Sequence, residues 1–365
     1  MATIFYSTAG EGRGHATRVR AIVESLRERH SVVVFAPGDA FDLLEPAYRR
    51  AGDVRVVCIP GLRFGYAPNG SLSPVRTTRA VAAFAAGLPG LVGRLVREIE
   101  AERPALAITD FEPALPRAAR RAGVPFVSLD HQHFLSVSDL SHLPPLLRAR
   151  GEWMGRVVDC MYGGQRATIV SSFFFPRLRV DDRRVRLVGP ILRPSVLAVR
   201  PERGAHIVVY VRRAFAFERL LDALVSTRRE VRCYGLGPLP ARANLRFLPI
   251  DEQRFVEDLA SSDCLVTTAG NQLLGEALFL RKPILAFPEP GNPEQRIHGH
   301  FLEREETGEM GDVRTVDGRT IAAFLDRKED YRSRIDSDRM NGNGAALAAL
   351  APFLPASLPP EVALV

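Results

Sequence analysis

The sequence feature that most constrains the fold is an alternation of short apolar runs with longer amphipathic segments, repeated in two series along the chain. Short apolar runs predict buried strands, and amphipathic segments of helical period between them predict helices. Such an alternation implies a parallel sheet covered by helices on both faces. The first series predicts strands at Thr3–Ser7, Ser31–Ala36, Val54–Ile59, Ala105–Thr109 and Pro125–Leu129, and helices at Ala16–Arg29, Asp39–Ala51, Arg79–Glu102 and Pro113–Ala122.

The second series begins at His206, after a polar, turn-rich stretch that we interpret as a linker at about 192–204. It predicts strands at Ile207–Val211, Val231–Gly235, Leu245–Leu248, Cys264–Thr267 and Pro283–Phe287, with helices at Phe217–Thr227, Glu252–Ser261 and Asn271–Leu280. The prediction is therefore an α/β protein with two Rossmann-like, doubly wound domains facing across a cleft, over residues 1–195 and 203–344, and a C-terminal helix and tail over 345–365. Ligands of such sheets bind at the carboxyl ends of the strands.

Charge and composition narrow the function classes. The formal net charge is +7, but the basic residues, 47 of the 49 being Arg, are scattered among 42 acidic residues. This dispersed charge does not indicate a nucleic-acid partner. No run of 18 or more uninterrupted apolar residues is present, and the N-terminus enters a strand directly. We expect a cytoplasmic protein whose membrane contact is at most peripheral.

The four cysteines are far apart and show no metal-ligand spacing. The sequence predicts that they are reduced thiols in the core.

A candidate phosphate site follows strand Cys264–Thr267, where a turn of small residues leads into a helix. Asn271 is predicted to cap that helix, leaving its first backbone N–H groups free. Free donors and the partial positive charge of a helix N-terminus suit a diphosphate, and Gly270 would let it approach the backbone closely. Farther along the helix, Glu276 could accept hydrogen bonds from the hydroxyls of a ribose, although an ordinary surface glutamate remains an alternative.

These residues form a pattern that resembles the donor site of GT-B glycosyltransferases: Thr268-Ala-Gly-Asn, Glu276-Ala-Leu, Lys282-Pro-x-Leu, then Glu294-Gln-x-x-His-Gly-x-x-Leu. The resemblance covers about fifty residues. The superfamily includes the macrolide glycosyltransferases and the peptidoglycan lipid N-acetylglucosaminyltransferase. The resemblance implies that the second domain binds a UDP-sugar or another nucleotide sugar and the first domain an acceptor. The chain departs from the family at Thr267–Gly270, where the family often has His or Ser with two glycines.

The resemblance also assigns individual donor contacts. It implies that the phosphates contact Thr268, Ala269, Gly270 and Asn271, the ribose Glu276, the sugar Glu294 and Gln295, and the base the backbone from Leu248 to Ile250. Arg212 and Arg213 follow the first strand of the second domain, where a guanidinium could neutralise the departing diphosphate.

The candidate base lies in the first domain. A loop with Gly10, Gly12 and Gly14 follows the first strand, and His15 stands at the start of the next helix. A neutral histidine suits proton removal from an acceptor hydroxyl, and Asp110, at the end of another strand, could orient it. A dinucleotide site with Asp39 as the ribose ligand is an alternative, but His15 stands where that fingerprint expects Gly or Ala.

The acceptor site is predicted from polar and aromatic residues of the first domain: Gly14, Phe64, Tyr66, Asp130, His131 and His133, together with the basic stretch 148–156. His131 and His133 would share a face of a strand and could bind a metal with Asp130 or Asp110. We expect them to line the acceptor pocket instead, with no metal and no cofactor besides the sugar nucleotide.

The predicted function is an inverting glycosyltransferase that moves a hexose-type sugar to a hydroxyl of a small-molecule or lipid-linked acceptor. A role in natural-product biosynthesis fits an apolar, aromatic pocket. Two alternatives stay open at this point: a nucleotide-sugar 2-epimerase on the same fold, and a non-catalytic nucleotide-sugar-binding protein.

Overall fold

A computed structural model describes residues 1–62, 65, 73–179, 181–212 and 217–355. Within them the chain forms two parallel sheets. The first has seven strands in the order β3-β2-β1-β4-β5-β6-β7. Its strands are β1 Ala2–Thr8, β2 His30–Ala36, β3 Val54–Cys58, β4 Leu106–Asp110, β5 Phe126–Asp130, β6 Thr168–Ser171 and β7 Val185–Val188.

The second sheet has six strands in the order β10-β9-β8-β11-β12-β13. They are β8 Ile207–Tyr210, β9 Val231–Tyr234, β10 Leu245–Phe247, β11 Cys264–Thr267, β12 Ile284–Ala286 and β13 Gly308–Met310. In both sheets the chain starts near the centre, runs to one edge and returns to the other side. Crevices at the carboxyl ends therefore open beside β1 and β4 and beside β8 and β11.

Helices connect the strands and cover both faces of each sheet. Those of the first domain are α1 Arg13–Leu26, α2 Gly38–Tyr48, α3 Pro74–Glu102, α4 Ala114–Arg121, α5 Phe134–Val137, α6 Pro145–Met161 and α7 Pro194–Ala198. Those that follow are α8 Glu218–Val225, α9 Glu252–Ala260, α10 Asn271–Phe279, α11 Pro293–Arg304, α12 Gly318–Arg334 and α13 Asn343–Leu350.

The last helix, α13, returns to the first domain. Its Ala346 and Leu350 are fully buried in the core that also holds Ile22, Ile169 and Ile191. The side chain of Asn343 holds the end of the first domain by accepting from Leu192 N–H at 2.7 Å and donating to the Leu192 carbonyl at 2.8 Å. The C-terminal segment therefore fastens the second domain to the first.

Helix α3 corrects the expectation that no segment is apolar enough to cross a membrane. By length and composition alone its residues Val75–Glu102 qualify, and 17% of the qualifying stretch is buried. The inner side of its C-terminal half, with Leu91, Leu95 and Ile99, packs on the first sheet. The remaining apolar surface is open in the described part of the chain.

The prediction for the cysteines is half wrong. Cys233 and Cys264 are buried, but Cys58 and Cys160 are exposed, and all four are free thiols. Cys58 ends the edge strand β3, whose outer side has no further strand in this sheet. Cys160 lies near the end of α6 on its solvent side. An apolar run therefore did not ensure burial at these two positions.

Candidate active site

The carboxyl ends of β1, β4 and β5 lie side by side because these strands are neighbours in the first sheet. The loop after β1 leads into α1, which carries His15. Asp110 is the last residue of β4, and Asp130 is the last residue of β5. The topology therefore brings together the polar residues that the sequence predicts to lie at this edge.

His15 and Asp110 form a pair, as predicted. Nδ1 of His15 lies 2.8 Å from Oδ1 of Asp110. The carboxylate is completely buried, whereas 16% of the histidine side chain is exposed. Nη2 of Arg18, which can only donate, also lies 3.1 Å from Nδ1 of His15, but the contact with the carboxylate is shorter. Because a carboxylate can only accept, we assign the proton to Nδ1 and the lone pair to Nε2. The ring of Phe111 lies nearly parallel to that of His15, 6.2 Å away.

Arg18 is the third member of this cluster, and it is not among the residues predicted from the sequence. It donates from Nε to Oδ2 of Asp110 at 2.8 Å and from Nη2 to Oδ1 at 2.7 Å. Burial raises the pKa of Asp110, but the charges of Arg18 and His15 outweigh burial, so the pKa is lowered overall. Asp110 is therefore ionised at neutral pH. The spacing could have indicated this contact, because Arg18 follows His15 by three residues and residues three apart share a helix face.

The predicted acceptor residues Asp130 and His133 pair with each other beneath the cleft. Nδ1 of His133 lies 2.7 Å from Oδ2 of Asp130, and its backbone N–H donates to Oδ1 at 3.0 Å. Burial lowers the pKa of His133, but Asp130 raises it more, so the pKa is raised overall. Both side chains are almost fully buried. They therefore support the wall of the cleft from below.

The predicted shared strand face of His131 and His133 is wrong. Both residues follow β5 in a turn, and their rings have different partners. His131 contacts the Ser171 carbonyl through Nδ1 and His298 through Nε2, each at 2.8 Å. The two histidines therefore do not form a metal pair with Asp130 or Asp110.

The start of α1 and the loop before it lie against the second domain. A side chain at Gly14 would place its Cβ 3.3 Å from Cβ of Gln272 on α10, and one at Gly12 would lie 3.5 Å from Nη1 of Arg212. Gly12 has a φ of +79°, which favours glycine. Its N–H donates to Asp39 at 3.2 Å, so that carboxylate holds the loop. Arg212 therefore faces the glycine-rich loop, as predicted for a cleft residue.

In the donor half, the turn after β11 presents an open helix N-terminus. The first helical hydrogen bond of α10 runs from Leu274 N–H to the Gly270 carbonyl. The backbone N–H groups of residues 271–273 therefore precede the first hydrogen bond of the helix. No described atom lies within 4 Å of the position that a Cβ of Gly270 would take. Packing within the described chain therefore does not require glycine here, whereas a ligand approaching the backbone would.

The predicted capping role of Asn271 is wrong. The N-cap of α10 is Gly270, which has no side-chain cap, and Asn271 is the first helical residue. Its Nδ2 instead donates to the Ser171 carbonyl of the first domain at 3.3 Å. Asn271 therefore joins the two domains. Thr268 and Ala269, the other predicted phosphate residues, are buried in the same turn.

Glu276 is buried and already paired. Its Oε2 accepts from Arg193 Nη2 at 2.8 Å, its Oε1 accepts from Gln272 Nε2 at 3.2 Å, and only 2% of its side chain is exposed. Gln272 also donates to the Ile191 carbonyl at 2.8 Å. A ribose at Glu276 would therefore have to displace or share these partners. Arg193, which lies at the border of the predicted linker, is not among the residues predicted from the sequence.

The remaining donor residues lie in two loops. Glu294, in the first turn of α11, is partly exposed and accepts from Gln132 Nε2 of the first domain at 3.4 Å. Gln295 is turned towards its own loop, where its Oε1 accepts from Glu289 N–H at 2.7 Å.

In the segment predicted for the base, Leu248 N–H already donates to the Cys233 carbonyl at 2.9 Å, and the side chain of Ile250 is exposed. The predicted residues Phe64, Tyr66 and Arg213 lie outside the described residues.

Two Rossmann-like domains joined in this way define the GT-B fold class, and the likeness to solved structures agrees. The chain is 16% identical to the calicheamicin glycosyltransferase CalG4, with a TM-score of 0.70 over 98% of this chain and all of that one. It is 15% identical to Arabidopsis thaliana UGT89C1 complexed with UDP-L-rhamnose, with a TM-score of 0.70 over 97% of this chain and 99% of that one. These likenesses confirm the predicted fold.

A family model described as glycosyl transferase family 1 matches residues 2–328. The chain therefore belongs to this glycosyltransferase family. A relative from Methanosarcina acetivorans, described as an uncharacterized glycosyltransferase, is 32% identical over 114 residues. That match spans 29% of this chain and 28% of the relative.

Proposed function

We propose that this chain is an inverting glycosyltransferase that moves a hexose-type sugar from a UDP-sugar, or another nucleoside diphosphate sugar, to a hydroxyl of a small-molecule or lipid-linked acceptor. One observation carries the proposal. His15, partly exposed and bonded to a buried carboxylate, follows Gly14, where a Cβ would lie 3.3 Å from Cβ of Gln272 in the first turn of α10. A base and a diphosphate site would then face the same space.

His15 is the proposed base. Its Nε2 takes the proton of the acceptor hydroxyl, and the hydroxyl oxygen forms a bond to the anomeric carbon of the donor. At the same time the bond from that carbon to the diphosphate oxygen breaks, and the nucleoside diphosphate leaves with the electron pair. Attack on the side opposite the leaving group inverts the anomeric configuration. General base catalysis of this kind contributes about 10²–10⁴-fold to the rate.

The leaving diphosphate would be stabilised by the N–H groups in the first turn of α10. These groups and the helix dipole present partial positive charge, and Arg212, near the glycine-rich loop, supplies a full one. Because these groups would neutralise the negative charge of the leaving diphosphate, we propose that the transfer step needs no metal and no cofactor.

For the rest of the donor we keep the contacts that the family resemblance implies. Glu276 would bind the ribose, and Glu294 and Gln295 the sugar hydroxyls. The partial exposure of Glu294 and its bond to Gln132 across the cleft support a sugar position between the domains. The base would lie along Leu248–Ile250.

For the acceptor we favour a soluble small molecule with an apolar body, such as a natural-product aglycone, in a cytoplasmic reaction. The apolar surface of α3 supports an apolar acceptor, and a lipid-linked acceptor is the second candidate. Trp153, on the predicted basic stretch, is 64% exposed on α6, which places it at the surface of the first domain.

A donor screen followed by product analysis tests the proposal. Thermal unfolding with a panel of nucleoside diphosphates and their sugars should show that at least one raises Tm. NMR of the product formed with that donor should show the opposite anomeric configuration. As a control, His15→Ala should bind the nucleoside diphosphate with unchanged affinity and lose transfer by at least 100-fold.

Three outcomes would contradict the proposal. If no nucleoside diphosphate raised Tm, the donor site would be wrong. If the product retained the anomeric configuration, the inverting mechanism would be wrong. If the donor incubated alone gave a new sugar nucleotide, a nucleotide-sugar 2-epimerase would be the better explanation of the function.

A further inference from the structure

Two histidines and a carboxylate, none of them part of the His15–Asp110 pair, meet where the domains face each other. His131 comes from the turn after β5, and His298 and Glu294 come from α11. Nε2 of His131 lies 2.8 Å from Nε2 of His298, which lies 3.9 Å from Oε1 of Glu294. One ligand atom from each of the three residues lies within 4.8 Å of the others.

The other nitrogen of each ring shows where the lone pairs point. Nδ1 of His131 lies 2.8 Å from the Ser171 carbonyl, and Nδ1 of His298 lies 2.7 Å from the Ala269 carbonyl. A carbonyl only accepts, so both Nδ1 atoms carry hydrogen. In the neutral rings both Nε2 atoms then have lone pairs, and these face each other next to a carboxylate. Such an arrangement is unfavourable unless a positive charge lies among the three groups.

This pattern is that of a metal site. Histidines that bind metal almost always donate their second nitrogen to a carbonyl or carboxylate, which fixes the ring and aims the other nitrogen at the ion. Here both rings are fixed in this way. Gln132 additionally holds Glu294 through a hydrogen bond of 3.4 Å. The side chains of Phe134, Phe173 and Phe174 surround the histidines, and such an apolar shell limits access of water.

We propose that His131, His298 and Glu294 bind a divalent d-block cation of the zinc type, which ties the first domain to the second. Imidazole nitrogen with one carboxylate suits zinc, whereas magnesium prefers oxygen ligands. A tetrahedral ion with Zn–N bonds of about 2.1 Å separates two nitrogens by about 3.4 Å. The rings would therefore move apart by about 0.6 Å on binding.

The proposal goes beyond sugar transfer, and it shares one residue, Glu294, with the proposed sugar contact; metal binding can be measured without any donor. The ion would not replace the groups proposed for the leaving diphosphate, and its ligands come from both domains. It would therefore stabilise the arrangement in which the domains are close. A single shared proton would satisfy the two rings but would leave Glu294 3.9 Å away.

Metal binding can be measured directly on the full chain, with any affinity tag removed and the protein stripped by EDTA. Calorimetric titration with ZnCl₂ should give one site per chain, and Zn²⁺ should raise Tm. Addition of Co²⁺ should give the visible absorption bands of a tetrahedral ion. His131→Gln and His298→Gln should each weaken zinc binding by at least 100-fold, and Glu294→Gln by about tenfold or more.

His142→Gln is the matched control, because His142 is an exposed histidine of the first domain outside the cluster. It should leave zinc binding unchanged. If a buried histidine variant does not fold, the partly exposed Glu294→Gln tests the site in its place. Failure of the wild-type chain to bind zinc would overturn the proposal. So would zinc binding that survives His131→Gln and Glu294→Gln, or binding that His142→Gln abolishes.

Discussion

Arg18 binds both carboxylate oxygens of Asp110 in a bidentate ion pair, with distances of 2.8 and 2.7 Å, and both side chains are buried. The same carboxylate lies 2.8 Å from His15. Asp110 is therefore shared between a permanent cation and the proposed base. Because the guanidinium keeps Asp110 ionised, we regard Arg18 as a residue that positions the base and not as one that contacts the substrate.

Replacing Arg18 by Met should lower kcat by about tenfold or more and should change the pH profile. Without the guanidinium the pKa of Asp110 rises, because burial is then opposed by His15 alone. The acid limb of kcat/KM should therefore move to higher pH, since the proposed base needs an ionised Asp110. Steady-state kinetics between pH 4 and about 9 measure this shift.

Arg18→Lys is the control for the Arg18 experiment. It keeps the charge but loses the bidentate geometry, so the acid limb should return towards that of the wild type while kcat recovers only in part. Loss of one partner of a buried pair costs about 3–5 kcal/mol, so circular dichroism must first show that Arg18→Met is folded. A folded Arg18→Met with an unchanged pH profile would limit Arg18 to a structural role.

The pairing of His15 with Asp110 was predictable from the sequence, whereas the role of Arg18 was not recognised. His15 follows one strand and Asp110 ends another, and the two strands are neighbours in a doubly wound sheet. The topology alone therefore brings the two residues together. Arg18 is one of 47 arginines, and the helical period gives its face but not its burial. Strand positions were predicted to within one or two residues for the strands named, because short apolar runs between turns are a strong local signal.

Contacts between the domains could not be predicted. The side chain of Asn271 suits a helix cap, but the Ser171 carbonyl of the other domain lies within 3.3 Å and takes its amide instead. His131 and His298 are 167 positions apart, and Arg193 reaches Glu276 across 83 positions. These contacts depend on how the two sheets are placed relative to each other, which local periodicity does not encode.

Gly270→Ala should weaken phosphate binding without changing the stability of the fold. A methyl group at this position meets no described atom within 4 Å, and the backbone φ of −80° is allowed for alanine. Stability should therefore stay within about 0.5 kcal/mol of the wild type. If a diphosphate lies on the first turn of α10, the methyl group should weaken nucleoside diphosphate binding by at least tenfold.

Gly344→Ala, in α13, is the matched control for Gly270→Ala. Its Cβ would also meet no described atom within 4 Å, but it lies far along the chain from the donor turn. It should leave binding unchanged and should slightly stabilise the helix. Calorimetry and thermal unfolding of both variants test the assignment, and equal diphosphate affinities in the two would refute a phosphate site at Gly270.

Glu276→Gln should weaken UDP binding by about tenfold, provided that the carboxylate binds the ribose. Hydrogen bonds to charged groups contribute about 1.5–3 kcal/mol. The matched ligand is the 2′,3′-dideoxy nucleotide, which cannot make this contact and should bind the variant and the wild type alike. Calorimetry with both ligands therefore isolates the ribose contact from other effects of the substitution.

The ion pair with Arg193 provides the alternative explanation for Glu276. If the glutamate serves only to join the domains, Glu276→Gln should lower stability while leaving the preference for UDP over its dideoxy form unchanged. Arg193→Met should in either case be more destabilising than Glu276→Gln, because it leaves a carboxylate that is 2% exposed without its cation. Urea unfolding of the two variants compares these costs.

Lys282, from the Lys-Pro pair of the donor motif, should make stability depend on pH in the alkaline range. It is buried between the carbonyls of Glu202 and Ser262. Burial lowers its pKa to about 8, whereas an unfolded lysine titrates near 10.4. Between these values the unfolded chain binds more protons than the folded one. The contribution of Lys282 to the free energy of unfolding therefore rises as pH increases from about 8 to about 10.

The difference in unfolding free energy between the wild type and Lys282→Met should consequently grow over that range. Urea unfolding at several pH values measures it, and Lys328→Met, which removes the other lysine of the chain and its ion pair with Asp263, is the comparison variant. A difference that is constant from pH 7.5 to 10 would mean that Lys282 titrates at the same pH in the folded and unfolded chains. It would then act only as a hydrogen-bond donor that joins the linker to the second sheet.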